Sequence, residues 1–129
     1  MPEGHSVQRH ANQLNKLFKG KPVLVDSPQG RFSSEAELIT GHKIKNVRAI
    51  GKQLFIDFDN KLTCRVHLGI YGKWRFVSRD KEETLNGAVR VRFFDEENIA
   101  DLRGPTVCEV IDTKSVKLIE KRLGPDPTN

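Results

Sequence analysis

No apolar run in the 129 residues approaches the ~18 that a membrane-spanning helix requires. The opening, Met1-Pro2-Glu3-Gly4-His5-Ser6-Val7-Gln8-Arg9-His10, lacks the apolar stretch of a secretory signal. The expectation is a cytoplasmic protein with no membrane partner. There are two cysteines, Cys64 and Cys108, and no CxxC. That is too little for a disulfide framework or for a zinc site built on cysteine alone, so both are read as reduced and packed. His5, His10, His42 and His67 do not form an HExxH pattern, and His5 and His10, five apart, share a helix face poorly, so no metal site is expected. Repeats and low-complexity segments are also missing.

What remains is a short, polar, basic chain. Apolar residues make up 36% and charged residues 30%, with 22 Lys+Arg against 17 Asp+Glu and a formal net charge of +5. This length fits one domain with a modest core and a large solvated surface. The excess charge suits a polyanionic partner such as nucleic acid, although domains with other functions can be equally basic.

Along the chain, Val7, Ala11, Leu14 and Phe18 recur at helical spacing and predict an amphipathic helix over Glu3–Phe18, stopped at Lys19-Gly20. The middle alternates with period two. Strands are expected over Lys21–Asp26 and Lys43–Ile50, with a loop over Ser27–Gly41 between them. A hairpin follows around Asp59-Asn60, with Leu54, Ile56 and Phe58 on one face, Phe55 and Asp57 on the other, and Leu62, Cys64 and Val66 returning. After a turn at Gly69-Ile70-Tyr71-Gly72, Lys73–Val77 reads as a strand and Ser78–Gly87 as a polar loop. Ala88–Phe94 and Asn98–Leu102 form another hairpin. Asp112 is placed to cap a last helix carrying Val116, Ile119 and Leu123 on one face, which Gly124-Pro125 ends. The fold class implied is mainly β: an antiparallel β-sandwich flanked by an N-terminal and a C-terminal α-helix.

The first residues carry the sharpest chemical suggestion. Met1 before a small residue is ordinarily removed, which would expose Pro2 as a secondary amine. An α-amino group has a pKa of roughly 7.7–8, so far more of it is unprotonated at neutral pH than of a lysine side chain at ~10.4. Such an amine can attack a sugar carbon and give an iminium, with Glu3 beside it supplying protons. Pro-Glu is equally an ordinary helix opening, with Glu favoured by the helix dipole. Lys52 after Gly51 reads equally as a solvated turn lysine. Ile70 and Tyr71 between glycines read as an exposed apolar wedge, or as a turn folding Ile70 back into the core.

The opening MPEGH, the segments Ile50-Gly51-Lys52-Gln53-Leu54-Phe55, His67-Leu68-Gly69-Ile70-Tyr71-Gly72-Lys73-Trp74 and Asp101-Leu102-Arg103-Gly104-Pro105, and the closing Leu123-Gly124-Pro125-Asp126-Pro127 together resemble the formamidopyrimidine-DNA glycosylase and endonuclease VIII family, in register along the whole chain. The segments Ser27-Pro28-Gln29-Gly30-Arg31-Phe32 and Arg103-Gly104-Pro105-Thr106-Val107-Cys108-Glu109 are most similar to the bacterial endonuclease VIII branch. The resemblance implies a catalytic domain over 1–123, with 124–129 beginning a linker to a helix–two-turn–helix and finger domain absent from this sequence. Pro2 and Glu3 are implied as the nucleophile and the proton-transfer group. Lys52 is implied as a phosphate contact and proton donor. His67, Ile70, Tyr71 and Arg103 are implied as DNA contacts. The partner implied is double-stranded DNA with an oxidised base or abasic site, bound by a monomer. No cofactor is implied in this domain, and zinc only in the absent finger. Gly104-Pro105 stands where the guanine-lesion branch carries an aromatic after its arginine, which favours oxidised pyrimidines. A catalytically silent basic DNA-binding module and a protein-interaction sandwich are the competing readings. The joint presence of Pro2, Glu3 and Lys52 is needed only by the enzyme.

Overall fold

The structure is a computed structural model that describes the backbone over residues 3–81 and 89–123 and the side chains over 7–80 and 89–122. Helix α1 (Glu3–Phe18) leads into strand β1 (Leu24–Asp26), helix α2 (Ser33–Ile39), and strands β2 (Ile44–Ile50), β3 (Gln53–Phe58), β4 (Leu62–His67) and β5 (Lys73–Ser78). A 3-10 turn, Arg79–Lys81, precedes the undescribed 82–88. Strands β6 (Val89–Phe94), β7 (Asn98–Arg103) and β8 (Val107–Asp112) follow, then helix α3 (Thr113–Leu123). The strands form two antiparallel four-stranded sheets, ordered β1-β6-β7-β5 and β2-β3-β4-β8. The mainly β fold with a helix at each end is the one expected.

The period-two pattern does its work in the second sheet. Ile56 stands opposite Val47 and Cys64, and Cys64 opposite Val110, so these side chains share the inner face. They meet Val91, Phe93, Ala100 and Leu102 of the first sheet in one buried cluster that also takes Val7, Ala11, Leu14 and Phe18 of α1. Burying a side chain of this size contributes about 1.5–3 kcal/mol, so this cluster is what holds the two sheets together. Cys64 lies wholly inside it with a free thiol. A hydrogen bond to the Cys108 side chain and then burial push its pKa well up, which makes it an inert packing residue.

The other face of the second sheet is covered by α3. Phe55 points away from the main core yet is fully buried, packed with Val116 and Ile119 and flanked by Ile50 and Ile111. The outward position expected from the alternation is correct, and a helix covers it. Asp112 caps α3 as expected, accepting from the Ser115 N–H at 2.8 Å, which holds its carboxyl below the usual range. Arg48 ties α3 to the sheet, donating to Asp57 at 2.9 Å and to Glu120 at 2.7 Å.

Three expectations need correction. Residues expected as loop over Ser27–Gly41 contain α2, because Ala36 and Ile39 bury against the core while Ser33, Ser34, Glu37 and Leu38 face out. Seven residues are too few for a helical period to stand out from a loop. The strand expected over Lys21–Asp26 starts only at Leu24; Pro22, which has no N–H for a ladder, makes an isolated bridge to Lys43. Val107–Asp112, to which the alternation assigned no element, is β8. It pairs along all of β4, with a mostly half-buried pattern that weakens its alternation. Leu123's side chain, Ala88 and the linker 124–129 lie outside the described residues.

One polar contact fixes how α1 sits. The Asn15 side-chain amide donates to the Val47 carbonyl at 2.8 Å and accepts from the Val47 N–H at 2.9 Å, filling both groups of a β2 residue next to a bulge. Asn15→Ala leaves that backbone pair unsatisfied. The expected loss is about 1–3 kcal/mol in urea unfolding, while Asn12→Ala on the exposed face changes stability by less than about 0.5 kcal/mol.

Candidate nucleic-acid interface

The direction of α1 follows from its contacts. Gly20 donates to the Ile44 carbonyl and Asn15 grips Val47, so moving back along the helix tracks forward along β2. From Asn15 to Glu3 the helix extends ~18 Å. From Val47 to Gly51 the strand extends ~13 Å. The N-terminal end of α1 therefore points to the end of the second sheet that carries the β2–β3 turn. Pro2 itself and the side chain of Glu3 lie outside the described residues.

At that same end three further loops gather. Gly51 takes φ +60 and Lys52 is exposed on the tight β2–β3 turn. Gln53 stands opposite His67, and His67 opposite Val107, so the half-buried His67 is the next residue across the sheet edge. After His67 the chain makes one closed turn, with the Gly72 N–H bonded to the Leu68 carbonyl at 3.0 Å. This turn lifts Ile70 and Tyr71 into solvent, 85% and 80% exposed. Of the two readings open for Ile70, the structure has the exposed one.

The turn is held from behind by the loop after β7. Arg103 pairs with Lys73, the first residue after the wedge, and the Thr106 N–H donates to the His67 carbonyl at 2.8 Å. A Cβ on Gly69, whose φ is +66, would fall 1.9 Å from Thr106 Oγ1. A Cβ on Gly72 would fall 2.4 Å from the Leu68 carbonyl oxygen. The two glycines are required, one for its left-handed backbone and close neighbour, the other for the tightness of the turn. Arg103 Nε is buried without a hydrogen-bond partner, an unsatisfied donor beside the wedge. Sequence reasoning gave no role to Thr106, because it acts by filling space behind another loop. The only trace in the sequence was the glycine spacing.

Lys52, His67, Ile70, Tyr71 and Arg103, chosen from the sequence, thus come to one end of the sandwich. An exposed lysine, a buried unsatisfied guanidinium donor and a rigidly backed apolar pair suit a surface that meets phosphates and inserts between bases. Among the described residues no group of three or more His, Cys, Asp or Glu side chains is arranged to hold a metal ion.

Comparison with known proteins gives this arrangement its class. The family described as formamidopyrimidine-DNA glycosylase N-terminal domain matches residues 1–108, and the chain belongs to that family. Within it, the chain is 43% identical over 130 residues to the proteins called endonuclease 8 1 of Mycobacterium bovis and Mycobacterium tuberculosis, a match covering 98% of this chain and 48% of theirs. It is 31% identical over 131 residues to endonuclease 8 of Escherichia coli O7:K1, covering 98% of this chain and 49% of that protein. The chain therefore spans about half the length of these curated relatives. Among solved structures, the formamidopyrimidine-DNA glycosylase of Lactococcus lactis non-covalently bound to DNA containing an AP site superposes with a TM-score of 0.74 at 18% identity, covering 90% of this chain and 47% of that one. At that identity the likeness speaks for the fold.

Proposed function

We propose that this chain is the catalytic half of a base-excision DNA glycosylase with AP lyase activity, acting on oxidised pyrimidines in duplex DNA. The observation that carries the reading is the gathering of Lys52, His67, the Ile70-Tyr71 wedge and Arg103 at the end of the sandwich toward which α1 points its N-terminal end.

In this mechanism Met1 is removed and the Pro2 nitrogen, unprotonated, attacks C1′ of the damaged nucleotide. The bond to the base breaks as the N–C bond forms, and the departing base takes up the proton that the Pro2 nitrogen, now bonded to C1′, gives up. Ring opening, with Glu3 delivering a proton to the sugar oxygen, gives an iminium between Pro2 and the sugar. That iminium acidifies the adjacent C–H, so elimination of the 3′ phosphate and then of the 5′ phosphate cuts the strand on both sides of the lost sugar. Lys52 holds the phosphate beside the lesion. Extruding a nucleotide costs a few kcal/mol, which the wedge offsets by filling the gap left in the stack. Nothing in these steps requires a cofactor in this domain. The pyrimidine preference rests on Gly104-Pro105 after Arg103, where no aromatic stands to stack beside the estranged base.

Two experiments bear on this. On duplexes holding an oxidised pyrimidine, incision at high protein concentration and low salt is expected to leave phosphate on both ends of a one-nucleotide gap. A cut leaving an unsaturated sugar on the 3′ end would contradict the double elimination, and faster incision opposite an oxidised guanine would contradict the pyrimidine preference. For the wedge, Ile70→Ala with Tyr71→Ala is expected to weaken binding to an abasic duplex about tenfold, ~1.4 kcal/mol. The melting temperature should not fall, since both side chains are exposed. Unchanged affinity by fluorescence anisotropy would remove the wedge from the reading. Affinity for a duplex is expected to fall as salt rises, with a slope set by the number of phosphates this surface neutralises.

A further inference from the structure

The opposite end of the second sheet carries a second basic surface that the proposed chemistry does not use. Lys61, at φ +67 in the β3–β4 turn, lies at the far end of β3 from Lys52, ~20 Å away along the strand. Between this end of the sheet and α3 runs an open groove of about 480 Å³ whose lining includes Lys45, Lys61 and Lys117. Its carboxylates, Asp57 and Glu120, share the single guanidinium of Arg48, so the three together offset one of the lysines and leave the groove basic.

The exposed face of α3 extends this surface. Lys114, Lys117 and Lys121 recur at helical spacing, and with Thr113 and Leu118 they line a shallow depression. Leu118 is 61% exposed beside these lysines and also borders a second depression with Arg65, Glu109, Ile119 and Arg122. Of the carboxylates nearest this face in sequence, Glu120 within α3 is bonded to Arg48 and Asp112 caps the helix.

We propose that the Lys45/Lys61/α3 surface docks an acidic segment of a partner protein that carries at least one apolar side chain. Charge complementarity selects the acidic partner. Leu118 selects a polypeptide over nucleic acid, because a duplex backbone presents phosphates and sugars and offers nothing to cover an exposed leucine beside lysines. The groove admits a few side chains and not a duplex. The groove at Lys45 and Lys61 lies at the far end of the sheet from Lys52 and the wedge, and α3 runs back from there along the outer face, where Val116 and Ile119 pack with Ile50; a segment docked on this face leaves the wedge open, and the domain can be held by a partner while engaging DNA. This inference stands on residues separate from Pro2, Glu3 and Lys52, so it survives or fails independently of the catalytic reading.

The test is fluorescence anisotropy of the chain with a labelled 10-residue peptide of Asp and Glu containing one Leu and one Phe. Saturable, salt-sensitive binding is expected. Lys117→Gln with Lys121→Gln should weaken it at least about tenfold, ~1.4 kcal/mol, and Leu118→Ser about threefold. A peptide of Asp and Glu alone should bind as weakly to the native chain as the mixed peptide binds to Leu118→Ser. All substituted side chains are exposed, so the melting temperature serves as the folding control. Saturating peptide should leave an abasic duplex bound. Absence of saturable peptide binding overturns the proposal. So does binding indifferent to these substitutions, displacement of the duplex by the peptide, or a loss of duplex affinity in the variants as large as the loss of peptide affinity, which would make this a DNA surface.

Discussion

Retention of Met1, enforced by replacing Pro2 with a bulky residue that blocks the processing peptidase, is expected to reduce borohydride-trapped protein–DNA complex on an abasic duplex to background. The physical reason is the state of one nitrogen. As a chain terminus it is an amine with a pKa of roughly 7.7–8 and a lone pair available to carbon. Within a peptide bond the lone pair is delocalised into the carbonyl and cannot attack. Glu3→Gln keeps the amine but removes the proton-transfer group. It should slow ring opening, and with it strand incision at a damaged nucleotide, by ~10²–10⁴, the usual contribution of a positioned acid or base, and leave trapping on a preformed abasic site, whose sugar opens without it, less affected. The two variants are thus distinguishable: the first loses all covalent chemistry by Pro2, the second mainly incision at intact damaged nucleotides. Trapping that persists with a bulky retained N-terminus would move the nucleophile from Pro2 to the Met1 α-amine or to a lysine, and adduct mapping tells these apart.

Asp101→Ala is expected to be the most destabilising single substitution away from the main apolar core. Arg92 and Asp101 lie opposite one another on β6 and β7, with only 7% and 4% of their side chains exposed. They are joined by two parallel bonds, Nε to Oδ1 at 2.7 Å and the terminal nitrogen to Oδ2 at 2.9 Å. Removing the carboxylate takes both of these bonds from a buried guanidinium, a loss of about 3–5 kcal/mol. For a domain of this size that lowers the melting temperature by roughly 10–20 °C. The same change on an exposed pair, Asp59→Ala beside His42, should move it by less than about 2 °C. Replacing Arg92 and Asp101 together by Met and Leu should recover most of the loss, because an apolar pair of similar volume carries no desolvation cost. Calorimetry of the single and double variants decides whether the cost lies in the guanidinium that has lost these bonds.

The fold was legible wherever periodicity met a length long enough to show it. Sixteen residues of α1 and the alternation through β3 and β4 leave little room for another reading, and the packing of Val7, Ala11, Leu14 and Phe18 follows from their spacing. Helix α2 and strand β8 were not legible, for opposite reasons. The first is two turns long and amphipathic only against this core. The second is half-buried along its length, so its residues face no sharp contrast between inside and outside. The Arg92–Asp101 pair could not be read at all, since nothing in the spacing of two charged residues says that both are buried.

At the site the residue types were legible and their mutual support was not. Ile70-Tyr71 between glycines stood out as an apolar pair in a turn, whereas Lys52 after Gly51 read as an ordinary solvated lysine and took its role from the family resemblance. The sequence does not say that Thr106 stands behind Gly69 or that Arg103 pairs beside the wedge, because these contacts join segments more than 30 residues apart. Asn15 is the same kind of residue: a polar side chain in a helix whose function, holding β2 by its backbone, appears only when the two elements meet.

The most direct measurement on the central claim is the site of the covalent adduct. After borohydride reduction of the complex with abasic DNA, digestion and mass spectrometry should find the sugar-derived mass on the N-terminal peptide, on the nitrogen of Pro2, with Met1 gone. An adduct on Lys52 or any other lysine, or a trapped protein still carrying Met1, would contradict it.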